Sequence, residues 1–310
     1  MIMKTISIVV PCYNEEATID KYHNAVKSLW EGSRISDRYE LELIFINDGS
    51  SDNTRSMIEQ LSKGDPCVHY TSFSRNFGKE AAIFCGLKQA TGDAVVVMDA
   101  DLQHPPAVIE KMIEKWESGK AIIEGVKSDR GRERHSHRFM SRLFYSLMCR
   151  MTGFDMADSS DFKLMDRKVV DVLNSLSEKA TFFRALTYWV GFDSDKVEFE
   201  VAERSGGTGK WTGRSLFSYA ISNMTSFTYA PLYIIGLTGI VILLVGLYLG
   251  VDAIITYFEG IAVSGYPSLV ILITLCTGGI MLSLGVIAIY IAKMYTELKN
   301  RPRYIIEDQK

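Results

Sequence analysis

The sequence predicts an α/β domain built on a mostly parallel sheet, followed by an amphipathic juxtamembrane segment and a two-helix transmembrane hairpin. Three observations predict it. Short apolar runs rich in β-branched residues alternate with helix-period segments through the first 126 residues. Acidic and amide side chains gather directly after those runs, where an open parallel sheet binds its ligands. Finally, 215–251 and 260–292 contain no Asp, Glu, Lys or Arg over 37 and 33 residues, against the roughly 20 apolar residues that a spanning helix needs.

Taken in order, 6–10 reads as a strand and 15–30 as a helix. Residues 41–46 read as a strand, and 51–62 as a helix behind a Ser/Asp-rich cap. A short strand at 68–72 precedes a helix at 79–90, a strand at 94–98 precedes a helix at 106–118, and 121–126 reads as a further strand. Strands separated by helices imply parallel pairing with helices on both faces. The spans fall at about 231–255 and 268–292. Residues 211–230, with Trp211, Phe217, Tyr219 and Phe227 among serines and threonines, read as a segment lying along the membrane surface. The plain alternative there is a last packed helix of the soluble domain. The resulting division is 1–210 as the catalytic domain, 211–230 juxtamembrane, 231–295 as the hairpin and 296–310 as a basic tail.

Basic residues flank both outer ends of the hairpin: Arg204, Lys210 and Arg214 before it, Lys293, Lys299, Arg301, Arg303 and Lys310 after it. The turn between the spans carries only Glu259. By the positive-inside rule the domain and both termini are cytoplasmic in a multi-pass protein of the cell membrane. Asp252 falls at the outer interface. Met1 to Val10 is too short an apolar run for a signal peptide.

Composition excludes several classes. Charged residues are 23%, hydrophobic residues 47%, and the net charge is −3, so a disordered chain and a basic nucleic-acid binder are both ruled out. The five cysteines show no C-x-x-C spacing and read as reduced thiols.

The chemistry follows the strands. After the first comes Pro11-Cys12-Tyr13-Asn14-Glu15-Glu16, after the second Asn47-Asp48-Gly49-Ser50-Ser51-Asp52, and after the fourth Asp99-Ala100-Asp101-Leu102-Gln103-His104. No strand is followed by G-x-G-x-x-G, which disfavours a dinucleotide fold. Gly206-Gly207-Thr208-Gly209-Lys210-Trp211 fails as a phosphate loop, since Trp replaces the Ser or Thr after the lysine. Asp99 and Asp101 stand two apart, so a persisting strand puts both carboxylates on one face. Hard oxygen donors of this kind suit Mg²⁺ or Mn²⁺ shared with a substrate diphosphate, and Gln103 adds a neutral oxygen. A lone D-x-D is also a common strand-end cap.

The combined blocks are more specific. S-I-V-V-P-C-Y-N-E-E, I-N-D-G-S-S-D-N-T, F-S-R-N-F-G-K-E-A-A-I, V-V-V-M-D-A-D-L-Q-H-P-P, D-F-K-L-M-D-R and R-S-G-G-T-G-K-W follow one another over residues 4–230. In this the chain resembles the family-2 glycosyltransferases of GT-A fold, and among them the polyprenyl-phosphate sugar transferases. Those are the relatives of dolichol-phosphate mannose synthase and the bacterial bactoprenol glucosyltransferases, and the hairpin matches the bacterial branch. The resemblance implies that Pro11, Tyr13 and Glu15 border the base and ribose, with Ile46 and Asp48 beside the base. It places Asp99 and Ala100 on the nucleoside, Asp101 and Gln103 on the metal, and Asp161 near the acceptor phosphate and the reactive carbon as candidate base. A phosphate dianion needs little deprotonation, so Asp161 is also read as an orienting group, with Asp158 as a competitor.

Residues 127–150 hold seven Lys/Arg against two acids, which suits an anionic membrane and a lipid phosphate. The family has an arginine where Lys127 stands; Lys is a point charge and not a bidentate fork, so Arg130 is read as sharing that role. Arg204 and Lys210 bracket the glycine-rich stretch as a lid over a diphosphate. Ser74–Lys79 reads either as an anion loop or as a tight turn, and Arg184 and Trp189 either as acceptor-groove or as packing residues.

The expected activity is inverting transfer of one sugar, glucose from UDP-glucose by the bacterial-branch resemblance, to undecaprenyl phosphate at the cytoplasmic face of the bilayer. The lipid-linked sugar would serve cell-wall or surface-glycan modification. UDP-GlcNAc, GDP-mannose and a non-catalytic sugar-nucleotide sensor are the alternatives. The Q-x-x-R-W motif of processive synthases is absent from the sequence. The resemblance also allows a homo-tetramer.

Overall fold

The computed structural model describes residues 3–128, 159–176, 182–200, 230–259 and 265–310. The chain divides into two units, Met1–Thr212 with Pro302–Lys310, and Gly213–Arg301.

The first unit is an eight-stranded sheet in the order β7-β5-β6-β4-β1-β2-β3-β8. Its centre comprises β1 (Lys4–Cys12), β2 (Tyr39–Asn47), β3 (Val68–Phe73) and β4 (Ala94–Val97). These pair in parallel, with β1 between β2 and β4. Ile6, Ile8, Val9 and Val10 of β1 are fully buried, as a strand covered by helices on both faces requires. Helices α1 (Ile19–Gly32), α2 (Thr54–Gly64), α3 (Lys79–Gln89) and α4 (Val108–Glu117) supply the crossovers. In α1 the buried positions are Ile19, Tyr22, Val26 and Trp30, one stripe at helical spacing. In α3 every residue from Ala81 to Leu87 is buried. Gly86 permits this, since a Cβ there would lie 2.1 Å from Cγ1 of Val9.

The helix read from residue 15 starts at Ile19 instead. Asn14 has φ 56°, and Glu15 to Thr18 form a turn closed by Thr18 N–H on the Glu15 carbonyl. The strand read at 94–98 ends at Val97, so Asp99 and Asp101 lie on a loop and not on a continuing strand.

Beyond α4 the sheet becomes mixed. β5 (Ile122–Lys127) and β6 (Lys163–Asp166) are antiparallel partners, β6 runs antiparallel to β4, and β7 (Ser194–Phe199) pairs in parallel with β5. Helix α5 (Arg167–Ser175) packs on α3, β6 and β4, and α6 (Phe183–Trp189) sets Phe183 against Phe84 of α3. Four cysteines among the described residues, Cys12, Cys67, Cys85 and Cys276, are free thiols.

The end of the chain, read from sequence as a tail, returns to this sheet. β8 (Ile306–Gln309) pairs antiparallel with β3. Tyr304 stacks on Phe73 with ring centroids 4.8 Å apart, Arg303 donates to the Leu176 carbonyl at 2.8 Å, and Arg55 reaches Glu307 at 3.0 Å. An edge strand of open N–H and C=O groups is thereby covered.

The second unit contains α7 (Ala230–Phe258) and α8 (Tyr266–Leu298), within which the expected spans at 231–255 and 268–292 fall. They touch where Gly279 faces Ile242. Leu237, Leu247, Tyr248, Leu275, Met281 and Leu282 are all more than 60% exposed. Among the described residues, one segment, Leu275–Leu298, is long and apolar enough to cross a membrane; Ile235–Leu249 is a shorter apolar stretch. The amphipathic segment 211–230 lies, up to its last residue, outside the described residues.

Deleting 304–310 is expected to strip protection from the Tyr70 and Ser74 amides, which donate to Lys310 and Ile305, while β1 amides stay protected. Hydrogen exchange on the full-length and truncated proteins measures this. Unchanged protection at Tyr70 would show that β8 is not docked.

Candidate active site

Loops after β1, β2 and β4 converge where the strand order reverses, between β1 and β4. An open α/β sheet leaves its crevice at such a point. The first two loops interlock. Asn14 N–H donates to Ser50 Oγ at 3.0 Å, and Glu15 N–H to Thr54 Oγ1 at 2.8 Å. Asn14 Oδ1 accepts from Ser51 N–H at 2.9 Å. Asparagine tolerates the left-handed backbone that this geometry needs.

Asp48 is 3% exposed. Its two oxygens accept the backbone N–H groups of Phe77 at 2.6 Å and Gly78 at 2.9 Å. The carboxyl is pushed above its ordinary value by burial, and those two bonds work against the rise. The anion held by the loop 74–78 is thus a side chain of the chain itself. Gly49, at φ +64°, lets the loops meet: a Cβ there would lie 2.3 Å from the Arg75 carbonyl carbon.

After β4, Leu102 holds φ 58° with its side chain packed on the core. A bulky residue in this region is uncommon and marks a constrained loop. The turn bends Asp101 back so that its Oδ1 accepts Gln103 N–H at 3.1 Å. His104 next to it is buried between Phe162 and Phe199, at 5.0 and 5.3 Å between ring centroids. Burial pushes its pKa down, so it is a neutral anchor.

The cavity so enclosed measures about 280 Å³ and is lined by Pro11, Cys12, Tyr13, Glu15, Asp48, Asn76, Gly78, Lys79, Ala82, Asp99, Ala100 and Asp101. At its mouth the Tyr13 ring is 48% exposed. On its floor Lys79, the first residue of α3, extends its ammonium to Asp99, 2.7 Å from Oδ1 and 2.8 Å from Oδ2, and to Asp161 Oδ2 at 2.7 Å. Asp161 is also gripped by Arg184 of α6, through Nε at 2.6 Å and Nη2 at 3.0 Å. Burial works to raise the Asp161 pKa, yet Lys79 and Arg184 together hold it far below the carboxylate range.

A second cluster positions Asp161 from beneath. Lys163 and Glu124 form a buried ion pair at 2.6 Å. Glu124 further accepts from Tyr188 Oη at 2.6 Å, Ser159 Oγ at 2.8 Å and Ser160 N–H at 2.9 Å. The loop 159–162 is therefore fixed on both sides of Asp161.

Comparison with known proteins decides what this site belongs to. Residues 7–173 match the family described as glycosyl transferase family 2. The SfII prophage-derived bactoprenol glucosyl transferase of Shigella flexneri is 40% identical over 304 residues, covering 97% of each chain. The prophage bactoprenol glucosyl transferase homolog of Escherichia coli K12 is also 40% identical, over 97% of this chain and 98% of its own. The chain belongs to glycosyl transferase family 2. Among solved structures, glucosyl-3-phosphoglycerate synthase from Mycobacterium tuberculosis, in complex with Mn²⁺, UDP and phosphoglyceric acid, is similar at a TM-score of 0.48. It shares 21% identity, covering 70% of this chain and 75% of that one.

In this glycosyltransferase, seven residues singled out from sequence line one cavity: Pro11, Tyr13, Glu15, Asp48, Asp99, Ala100 and Asp101. Ile46 is fully buried in β2 and does not line it. Gln103 touches Asp101 through its backbone and does not line it either. Lys127 ends β5 and is exposed. Arg130, Arg204, Lys210 and Asp158 lie outside the described residues. Of the two aromatic-helix residues, Arg184 binds Asp161 and Trp189 is 53% exposed. Sequence reading missed the partnership of Lys79 with the acids, and the buried Glu124–Lys163–Tyr188 cluster. The signal for the second was charge inside apolar strands: Glu124 in I-I-E-G-V and Lys163 in F-K-L-M.

Lys163→Met is expected to destabilise the protein by about 3 kcal/mol, since it strands the buried Glu124 charge. The double variant with Glu124→Gln should be less destabilised than the single one. Thermal unfolding of the purified full-length protein measures both.

Glu80 gives a pH signature. Burial and then the Asp161 charge push its carboxyl from 4.5 up to about 7. The folded state thus holds a proton that the unfolded chain has released, so stability falls as pH rises from about 4.5 to 7 and levels above that. Glu80→Gln should flatten this part of the Tm-against-pH curve. An unchanged curve would refute the assignment.

Proposed function

We propose that the protein transfers a single glucose from UDP-glucose to undecaprenyl phosphate at the cytoplasmic face of the membrane, with inversion at the anomeric carbon. The observation that carries the acceptor class is the pair of cations on Asp161. Lys79 at 2.7 Å and Arg184 at 2.6 and 3.0 Å occupy both its oxygens, which makes it a poor base toward an alcohol. An acceptor used here brings its own negative charge, as a phosphate monoester does. A phosphate oxygen attacks the anomeric carbon from the face opposite the donor diphosphate. The bond from that carbon to the diphosphate breaks, and the nucleoside diphosphate leaves with the electron pair. Asp161 then serves to aim Lys79 and Arg184, and no proton transfer to it is required. Relatives that match nearly the whole chain and are named bactoprenol glucosyl transferases support the sugar and the carrier.

The residues fit a divalent ion. Asp99 already binds a cation, the Lys79 ammonium, through both oxygens, and Asp101 faces the same cavity. Among the described residues no third His, Cys, Asp or Glu completes a protein cage. That suits Mg²⁺ or Mn²⁺ held by Asp99 and Asp101 and completed by substrate oxygens. Such an ion supplies charge neutralisation for the departing diphosphate. Tyr13 offers a ring face to the base, and Pro11 and Glu15 border it. The family resemblance and the local excess of basic residues support Lys127, Arg130, Arg204 and Lys210 as the cations for the acceptor and donor phosphates.

The membrane reading rests on topology as well as apolarity. The chain leaves the first unit before Gly213 and rejoins it at Pro302. An even number of crossings in between fits that return, which supports reading α7 as a second span beside α8. Large apolar side chains exposed along both helices support a bilayer as their cover.

The test is transfer of label into the organic phase. Purified full-length protein receives UDP-glucose, UDP-GlcNAc or GDP-mannose, with undecaprenyl phosphate or the free alcohol undecaprenol. Transfer from UDP-glucose to the phosphate alone is expected, falling at least a hundredfold in Asp101→Asn. Equal transfer to the alcohol would overturn the acceptor assignment, and preference for another donor the sugar.

A further inference from the structure

Lys79 is placed where it can compete with the metal. Its ammonium lies against both oxygens of Asp99 and one of Asp161. The two carboxylates differ in what they would keep without it. Asp161 retains Arg184 on both oxygens, whereas among the described residues Lys79 is the ion-pair partner of Asp99. The lysine is not locked in place: its side chain is 42% exposed, and it stands at the first position of α3 behind Gly78, whose φ of 98° favours glycine. A four-carbon stem with rotatable donors can therefore swing off Asp99 while the backbone stays where Asp48 holds it. Four carboxylates, Glu15, Asp48, Asp99 and Asp101, line the cavity against one lysine, Lys79. A divalent ion reduces that excess of negative charge, which suits the arrival of phosphates.

We propose that Lys79 is an exchangeable counterion: it neutralises Asp99 in the free enzyme, is displaced from Asp99 when a divalent ion and nucleotide bind, and stays on the Asp161 side to meet the acceptor phosphate. This role presupposes the metal-dependent transfer proposed for the site. It has a thermodynamic consequence. The free enzyme binds the ion weakly, because a cation already holds the ligand, and nucleotide strengthens binding by adding its own oxygens and giving the ammonium an anionic partner. Linkage requires that the ion strengthen nucleotide binding by the same factor.

Mn²⁺ affinity of the full-length protein, read from the free-ion electron spin resonance signal with and without UDP, tests this. Lys79→Gln should bind Mn²⁺ at least tenfold more tightly than wild type without UDP, with the UDP enhancement reduced and kcat for transfer lowered. Lys79→Arg keeps the charge and should restore the weak, UDP-dependent affinity. Lys79→Met serves as a second neutral variant, with a thermal unfolding transition required of each. Wild-type or weaker Mn²⁺ affinity in both neutral variants, with transfer intact in the wild type, would overturn the counterion role and leave the transferase reading standing. Wild type that binds no Mn²⁺ even with UDP would overturn both.

Discussion

One carboxylate joins three distant pieces of this chain. Asp161 sits on the loop before β6 and receives Lys79 from the start of α3 and Arg184 from α6. Each of those elements is fixed independently. Lys79 follows a loop whose N–H groups are held by Asp48, and Arg184 sits four residues before Tyr188, which anchors on Glu124. At 7% exposure, Asp161 in its charged form would be costly without both cations, because a buried carboxylate loses its hydration and only well-placed partners offset that loss. Placing them takes a parallel half of the sheet to position α3 and a mixed half to position β6 and α6. The cavity lies where those halves adjoin.

The same demand for satisfied polar groups shapes the walls. Loops after β1 and β2 would expose many backbone N–H groups. They bond to each other's side chains instead, with Asn14, Ser50, Ser51, Asp52 and Thr54 as the partners. Two residues accept unfavourable backbone geometry within this arrangement, Asn14 at φ 56° and Leu102 at φ 58°. Each adjoins side chains that line the cavity. Left-handed backbone in a leucine costs on the order of 1–2 kcal/mol, and the burial of its side chain against the core supplies the offset. A relaxed loop at Leu102 would turn Asp101 elsewhere.

Much of this was legible in the sequence where local pattern and tertiary role coincide. The four central strands and their helices were read within a few residues, because a strand buried on both faces is apolar throughout and its crossover helix shows period 3.6. Asp99 and Asp101 converge as their spacing implied, although the reason differs: the turn at Leu102, and not a continuing strand, brings them together. In the second half of the sheet β5 was read, at 121–126, but β6 and β7 were not, and for β6 the reason is physical. Lys163 is buried there as half of a neutralised pair with Glu124, so a charge interrupts the apolar pattern that marks a strand. Lys79 looked like a loop cation because its partners lie 20 and 82 residues away. No spacing rule reaches that far. Ile306–Gln309, with two acids and an amide in four residues, carries no strand signal at all; only an edge strand can be so polar, since nothing packs on its outer side.

That polar strand has consequences beyond the sheet. Gly213–Arg301 is an excursion of 89 residues between two parts of one compact unit. Closing a flexible loop costs only about 0.6 kcal/mol more for each doubling of its length, and two long helices shorten the flexible path further. A short strand, one stacked pair of rings and the Arg303 and Arg55 contacts are therefore enough to bring the chain back. A chain that must come back is restricted in what it can do on the way. A single crossing would strand β8 on the wrong side of a bilayer from β3, so pairing of β8 and an odd number of spans are incompatible. The basic residues before α7 and at the end of α8 favour the same side of a membrane by electrostatics alone. Strand pairing and charge distribution are independent constraints, one made of hydrogen bonds and the other of lipid attraction. Both are met by the hairpin proposed for 213–301, whose two ends return to one unit.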